Sequence, residues 1–263
     1  MRFGFHISIA GGFSKIVERA NVRGCETIQF FSRNPRGWKY SPLDLEDVER
    51  FRSSIKSSLL SPIFLHLPYL PNIASQKSKF YNRSIDSIVT DLERAEQLGA
   101  HYLIIHIGHR GESSEDEAID AVAQGIEQAF ERVKNPVILL MENTAGQGSE
   151  IGYTFDQIKR IIDKVHENRR MGVCLDVAHT FEAGYDLSHR DGIERTIESF
   201  DKRVDPRENI YYWMSGEKAA GLQEIETDIG ALAAGYVTIT PIQYDLTRYD
   251  LIETLKNLVD RNL

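Results

Sequence analysis

Ile63-Phe-Leu-His66, Tyr81–Leu98 and Tyr102-Leu-Ile-Ile-His106 follow one another along the chain as a short apolar run, a long amphipathic stretch and a second apolar run. In the middle segment Ile85, Ile88, Val89, Leu92 and Ala95 recur at spacings of three and four, the period of one helical face. The two flanking runs are strand-length, so the segment reads as one β-strand, a crossover helix and a parallel β-strand. Working outward, the same alternation repeats. Apolar runs stand at Phe3–Phe5, Thr27–Phe31, Val137–Met141 and Met171–Asp176, and helical patterns at Phe13–Asn21, Leu45–Ser57, Glu115–Arg132 and Phe155–Val165. Six such units within about 200 residues, continued at that pace, predict an α/β chain of the (β/α)8 TIM-barrel type. The competing doubly wound sheet lacks its Gly-rich phosphate loop after the first strand.

The composition fits one large domain or two modest ones. The chain has 263 residues, 41% hydrophobic and 27% charged, with no apolar run long enough for a membrane span. The N-terminus shows no secretory signal pattern, and Cys25 and Cys174 in apolar runs are expected to be buried free thiols, so a cytoplasmic protein is expected. A net charge of −8 excludes bulk basicity as the means of gripping nucleic acid. It leaves open a local basic patch or bound cations.

The strand ends carry the chemistry. His6, His66, His106, Glu142 and Asp176 each close an apolar run, and His179 follows three residues after Asp176. In a barrel the C-terminal strand ends form one rim, where residues distant in sequence converge. Imidazole and carboxylate groups together suit zinc, manganese or iron, and burying them is costly unless they are paired or bound to a cation. The reading is a catalytic metal cluster at the barrel mouth.

Five ordered motifs make a resemblance specific. His6-Ile-Ser-Ile-Ala-Gly-Gly12, Phe31-Ser-Arg-Asn-Pro-Arg-Gly-Trp38, His66-Leu-Pro-Tyr-Leu-Pro-Asn72, Glu142-Asn-Thr-Ala-Gly-Gln-Gly148 and the segment Gly172–Leu187 resemble the endonuclease IV family of apurinic/apyrimidinic endonucleases, over about residues 1–200. The resemblance implies a DNA-repair hydrolase that cleaves the phosphodiester 5′ to an abasic site in duplex DNA, using up to three zinc ions. It implies that His66 and His106 hold the first zinc, that Glu142 bridges the first and second and helps polarise the attacking water, that Asp176 binds the second and that His179 binds the third. Arg36, Tyr69 and Leu70 match residues that wedge into the base stack, a device suited to extruding a damaged nucleotide.

The family's remaining ligands come from later strands, and this sequence has no histidine after His189. Trp213 or Ser215 stands where a strand-seven His is expected, and Ile239 where the closing Glu is expected. An incomplete metal site, with fewer than three zincs, is therefore expected, manganese being the second candidate metal. Segments from Asp205-Pro-Arg207 through Gly235–Pro241 to Tyr244-Asp-Leu-Thr247 resemble instead the C-terminal segment of survival-protein nucleotidases. The expected organisation is an endonuclease IV-like barrel portion, residues 1–203, joined to an atypical segment, 204–263, that supplies an unusual closure. A closed barrel implies a monomer; pairing of the tail across a dimer is the alternative. Other readings are a damaged-DNA binder or inactive chimeric product, a sugar isomerase or epimerase on the same fold, and, least supported, a nucleotidase.

Overall fold

A computed structural model describes residues 2–204. Six strands, β1 (Gly4–His6), β2 (Thr27–Phe31), β3 (Ile63–His66), β4 (Tyr102–His106), β5 (Ile138–Glu142) and β6 (Met171–Cys174), form one sheet in the order β1-β2-β3-β4-β5-β6. Every neighbouring pair is parallel. A doubly wound sheet reverses its strand order at a switch point. The unbroken order here has none, and with right-handed crossovers it winds in one sense, as a TIM-type barrel does. The helices between are α1 (Ile16–Val22), α2 (Leu45–Lys56), α3 (Tyr81–Leu98), α4 (Glu115–Arg132) and α5 (Phe155–Lys164), followed by α6 (Val177–Glu182) and α7 (Arg190–Val204). Barrel closure, the boundary near residue 204 and the tail ligand positions lie outside the described residues. Among the described residues no helix is long and apolar enough to cross a membrane.

Local chemistry explains the helix ends. Asp44 caps α2 by accepting from the Glu46 and Asp47 amides, and Ser114 and Glu117 close a capping box on α4. Gly99 ends α3 at φ 72°, where its N–H reaches the Ala95 and Glu96 carbonyls. The inner face of α3 buries Ile85, Ile88, Val89, Leu92, Ala95 and Leu98, as the spacing predicts. Phe30 of β2 packs edge-on against Phe51 of α2 at 5.5 Å, with Phe13 beside both.

Two boundaries differ from expectation. β6 stops at Cys174 because Asp176 turns out of the strand and caps α6, its carboxylate accepting from the His179 amide at 2.8 Å. Cys25 lies just before β2 rather than within a strand. Both cysteines are free, and both are partly rather than fully buried.

Asp47 ties the loop after β1 to α2. Asp47 is 8% exposed, and its carboxylate accepts from the amides of Phe13 at 2.6 Å and Ser14 at 3.2 Å. Gly12 sits at φ 106°, and a Cβ there would stand 2.8 Å from Asp47 Oδ2, so only glycine admits this approach. Burial alone would raise the Asp47 pKa, but hydrogen bonds from Ser14 and Phe13 and the Arg50 charge hold it below its usual value. A depressed carboxyl pKa contributes stability above the unfolded-chain value of 3.8, and that contribution fades as pH falls through the folded value. Asp47→Asn is accordingly expected to cost about 2 kcal/mol at neutral pH. In urea titrations the gap from wild type should narrow below about pH 4. A gap independent of pH would contradict the assignment.

Candidate metal centre

The parallel register carries the strand-end side chains to one rim. His106 lies directly beside Glu142 across β4 and β5, and Glu142 beside Cys174 across β5 and β6. Two donor groups result. His66, His106 and Glu142 form one, and Glu142, Asp176 and His179 the other, the potential ligand atoms within each lying no more than 4.8 Å apart. Glu142 belongs to both. Its Oε2 is 3.0 Å from His66 Nε2 and 3.6 Å from His106 Nε2, and its Oε1 is 3.7 Å from His179 Nδ1.

Tautomers follow from the hydrogen bonds. A carbonyl oxygen only accepts, so His66 Nδ1 donates to Leu67 O at 2.6 Å and His179 Nδ1 donates to Asn143 O at 2.8 Å. In the neutral rings the Nε2 lone pairs remain for a ligand, the orientation backbone carbonyls give metal-binding histidines. The His66 Nε2 lone pair then faces a carboxylate oxygen at 3.0 Å, a repulsive pairing unless a proton or cation lies between. Burial, reinforced by His66 and His179, lowers the His106 pKa, with Glu142 opposing. Burial would raise the Glu142 pKa, but a hydrogen bond from His66 and the charges of His106, His66 and His179, each available when the ring is protonated, hold it below the ordinary value. A neutral imidazole beside an ionised carboxylate is the state in which both serve a cation. The residues present therefore fit a divalent metal.

His6 departs from the strand-end expectation. The register pairs it with Gln29, whose side-chain amide donates to His6 Nδ1 at 2.9 Å, so that nitrogen's lone pair is already used. The dense surroundings, then the nearby His66, push His6 down to about 4, although its own surface is exposed. It lies outside both donor groups. Burial and the Glu142 and Asp176 carboxylates push the Cys174 thiol up.

One contributor escaped sequence reasoning. Asn143, 1% exposed, accepts from the Asp176 amide at 2.6 Å and donates to Asp176 O at 3.2 Å and Thr180 Oγ1 at 3.1 Å, while its carbonyl takes the His179 proton. It fixes Asp176 and His179 relative to Glu142. Its position beside Glu142 was the available signal, but the partners become visible only once β6 lies against β5.

Of the three residues matched to wedges, Tyr69 lies beside the donors. Its ring meets Phe31 edge-on at 5.5 Å and lies 5.7 Å from His66 and 5.8 Å from His106, yet the residue is 56% exposed. Leu70 beside it is also exposed. Arg36 stands on the separate loop after β2, its amide donating to Asn34 Oδ1 at 3.0 Å.

A buried polar cluster under that loop holds both its ends. Asp91 of α3 accepts from Ser32 Oγ and lies 3.6 Å from Arg33 Nε. Arg33 reaches the Gly37 carbonyl, Tyr40 Oη and Ser87 Oγ. Arg94 donates to Ser32 O at 2.7 Å and Ser41 O at 2.9 Å.

Comparison with known proteins agrees with this architecture. The family model described as xylose isomerase-like TIM barrel matches residues 17–214. The probable endonuclease 4 of Methanosphaerula palustris is 40% identical over 207 residues, which cover 78% of this chain and 72% of that protein. That of Halothermothrix orenii is 39% identical over 204 residues, covering 78% and 73%. The crystal structure of endonuclease IV from Thermus thermophilus superposes with a TM-score of 0.68 at 31% identity, covering 78% of this chain and 72% of that one. A D-tagatose 3-epimerase-like protein shares the fold, with a TM-score of 0.59 at 16% identity over 77% of this chain and 73% of its own. The two donor groups on the rim of this barrel thus belong to a chain of the endonuclease IV family.

Proposed function

We propose that the chain is a metal-dependent endonuclease of DNA repair that cleaves the phosphodiester 5′ to abasic sites in duplex DNA. The observation that carries this reading is the shared carboxylate: Glu142 faces His66 and His106 on one side and Asp176 and His179 on the other. A bound divalent ion, zinc by family likeness, would supply charge to a phosphate and lower the pKa of a coordinated water.

The chain's own residues do the rest. His66, His106, Glu142, Asp176 and His179 would hold the metal, and Asn143 keeps Asp176 and His179 in place. Glu142, ionised and close to the rings, is the group suited to hold the proton of an attacking water. Tyr69, exposed beside the donors, and the exposed Leu70 next to it in sequence suit insertion into a base stack, with Arg36 on the loop after β2. Sugar epimerases share the fold at low identity and carry no argument for their chemistry here.

The test is nicking of a duplex bearing one abasic analogue, with metal content measured on the same sample. Nicking that is lost on chelation and restored by added zinc or manganese supports the reading. Intact abasic duplex with metal-loaded protein overturns it.

A further inference from the structure

The rim carries a second feature beside the donors. Trp38, on the loop after β2, stacks on Phe80, on the loop after β3, with ring centres 5.7 Å apart and planes within 20°. This stack joins the two loops that bear Arg36 and Tyr69. Two cations lie over it: Arg83 Cζ is 4.7 Å from the Trp38 ring centre, and Lys79 Nζ is 5.1 Å from that of Phe80. Elsewhere several surface cations of the barrel helices are neutralised, Arg132 by Asp86, Arg160 by Glu115 and Lys164 by Asp120. Lys79 and Arg83 have no carboxylate partner among the described residues. Asp86, one turn beyond Arg83 on α3, is engaged by Arg132 instead. In a chain of net charge −8, these two cations stand together at the rim that would meet the substrate.

We propose that Lys79 and Arg83, held on the Trp38–Phe80 stack, form a contact for backbone phosphates of duplex DNA, distinct from the wedge residues and the metal donors. The proposal rests on the DNA-cleaving reading for the identity of its polyanion. A guanidinium lying on an aromatic face turns its in-plane N–H groups outward, the geometry for two-point hydrogen bonding to a phosphate. The stack also limits the freedom that both long side chains would otherwise lose on binding. Phosphate contacts position a duplex without reading its sequence, so this pair would serve intact and damaged DNA alike.

The experiment measures binding of an intact duplex of about 25 base pairs by fluorescence anisotropy, at salt concentrations from about 50 to 300 mM. Each phosphate contact contributes about 0.9 to the slope of log affinity against log salt. K79A/R83A is therefore expected to lower the magnitude of the slope by about 1.8 and to weaken binding about tenfold at the lowest salt. K79R/R83K should keep most of the slope. R160A/K164A, which removes the same charge from positions paired with α4 carboxylates, should leave the slope as in wild type. An unchanged slope in K79A/R83A, an equal fall in R160A/K164A, or no measurable duplex binding by wild type overturns the proposal. Abasic nicking by wild type is scored separately. A slope change without nicking sinks the nuclease reading and spares the phosphate contact; nicking with an unchanged slope does the reverse.

Discussion

Glu142→Gln is expected to reduce abasic-site nicking by about 10³-fold or more. The substitution keeps the shape of the side chain and removes one negative charge from the point where the two donor groups meet. Gln can still hydrogen-bond His66, so β5 should stay in place. What disappears is the anion facing three imidazoles, and with it the attraction for any cation they hold. Metals commonly supply several kcal/mol of charge stabilisation in phosphoryl chemistry, and about 4 kcal/mol corresponds to a thousandfold in rate. Metal content per chain should fall in the same variant, whereas its urea midpoint should move little. Nicking within tenfold of wild type would show that Glu142 does not bridge the centre.

The second large effect concerns stability. Asp91→Ala should destabilise the chain by about 3–5 kcal/mol, because it leaves the buried Arg33 guanidinium without its counter-ion and Ser32 Oγ without its acceptor. Asp91 itself is fully enclosed at 0% exposure, so the guanidinium charge it balances lies away from bulk solvent. For a domain of this size that corresponds to a lowering of Tm by about 10 °C. Asp91→Asn, which keeps a hydrogen-bond acceptor, should lose less. The loop from Ser32 to Ser41 loses the support of one end, so nicking should fall through loosened positioning of Arg36 even in the folded fraction. A loss under about 1 kcal/mol by urea titration would mean the arginines find other partners.

Much of this architecture is written in local periodicity. β2, β3 and β4 and helices α3 and α4 fall at the predicted limits, because apolar alternation and capping residues act within a few positions. The short α6 is a different case: its six residues carry little amphipathic signal, and its start depends on Asp176 leaving the strand. The donor set was legible as a series of strand ends, and the sheet gathers His66, His106, Glu142, Asp176 and His179 as the barrel argument requires. His6 was indistinguishable from them in sequence. Only the β1–β2 register reveals that Gln29 claims its Nδ1. Asn143 and the cluster around Asp91 were hidden for the same reason, since each joins positions that a linear pattern does not relate.

The strictly sequential winding of the sheet bears on how the centre is composed. Among the described residues each strand pairs with the one that precedes it in the chain, so each crossover joins strands adjacent in the sheet. Along the chain His66, His106 and Glu142 close β3, β4 and β5 in turn, and Asp176 and His179 follow β6. Without those last two residues the Asn143 side chain has no Asp176 amide to accept from, and the Glu142 carboxylate has half its company. In chain order, the group that both donor sets share thus precedes the two residues that complete the second set.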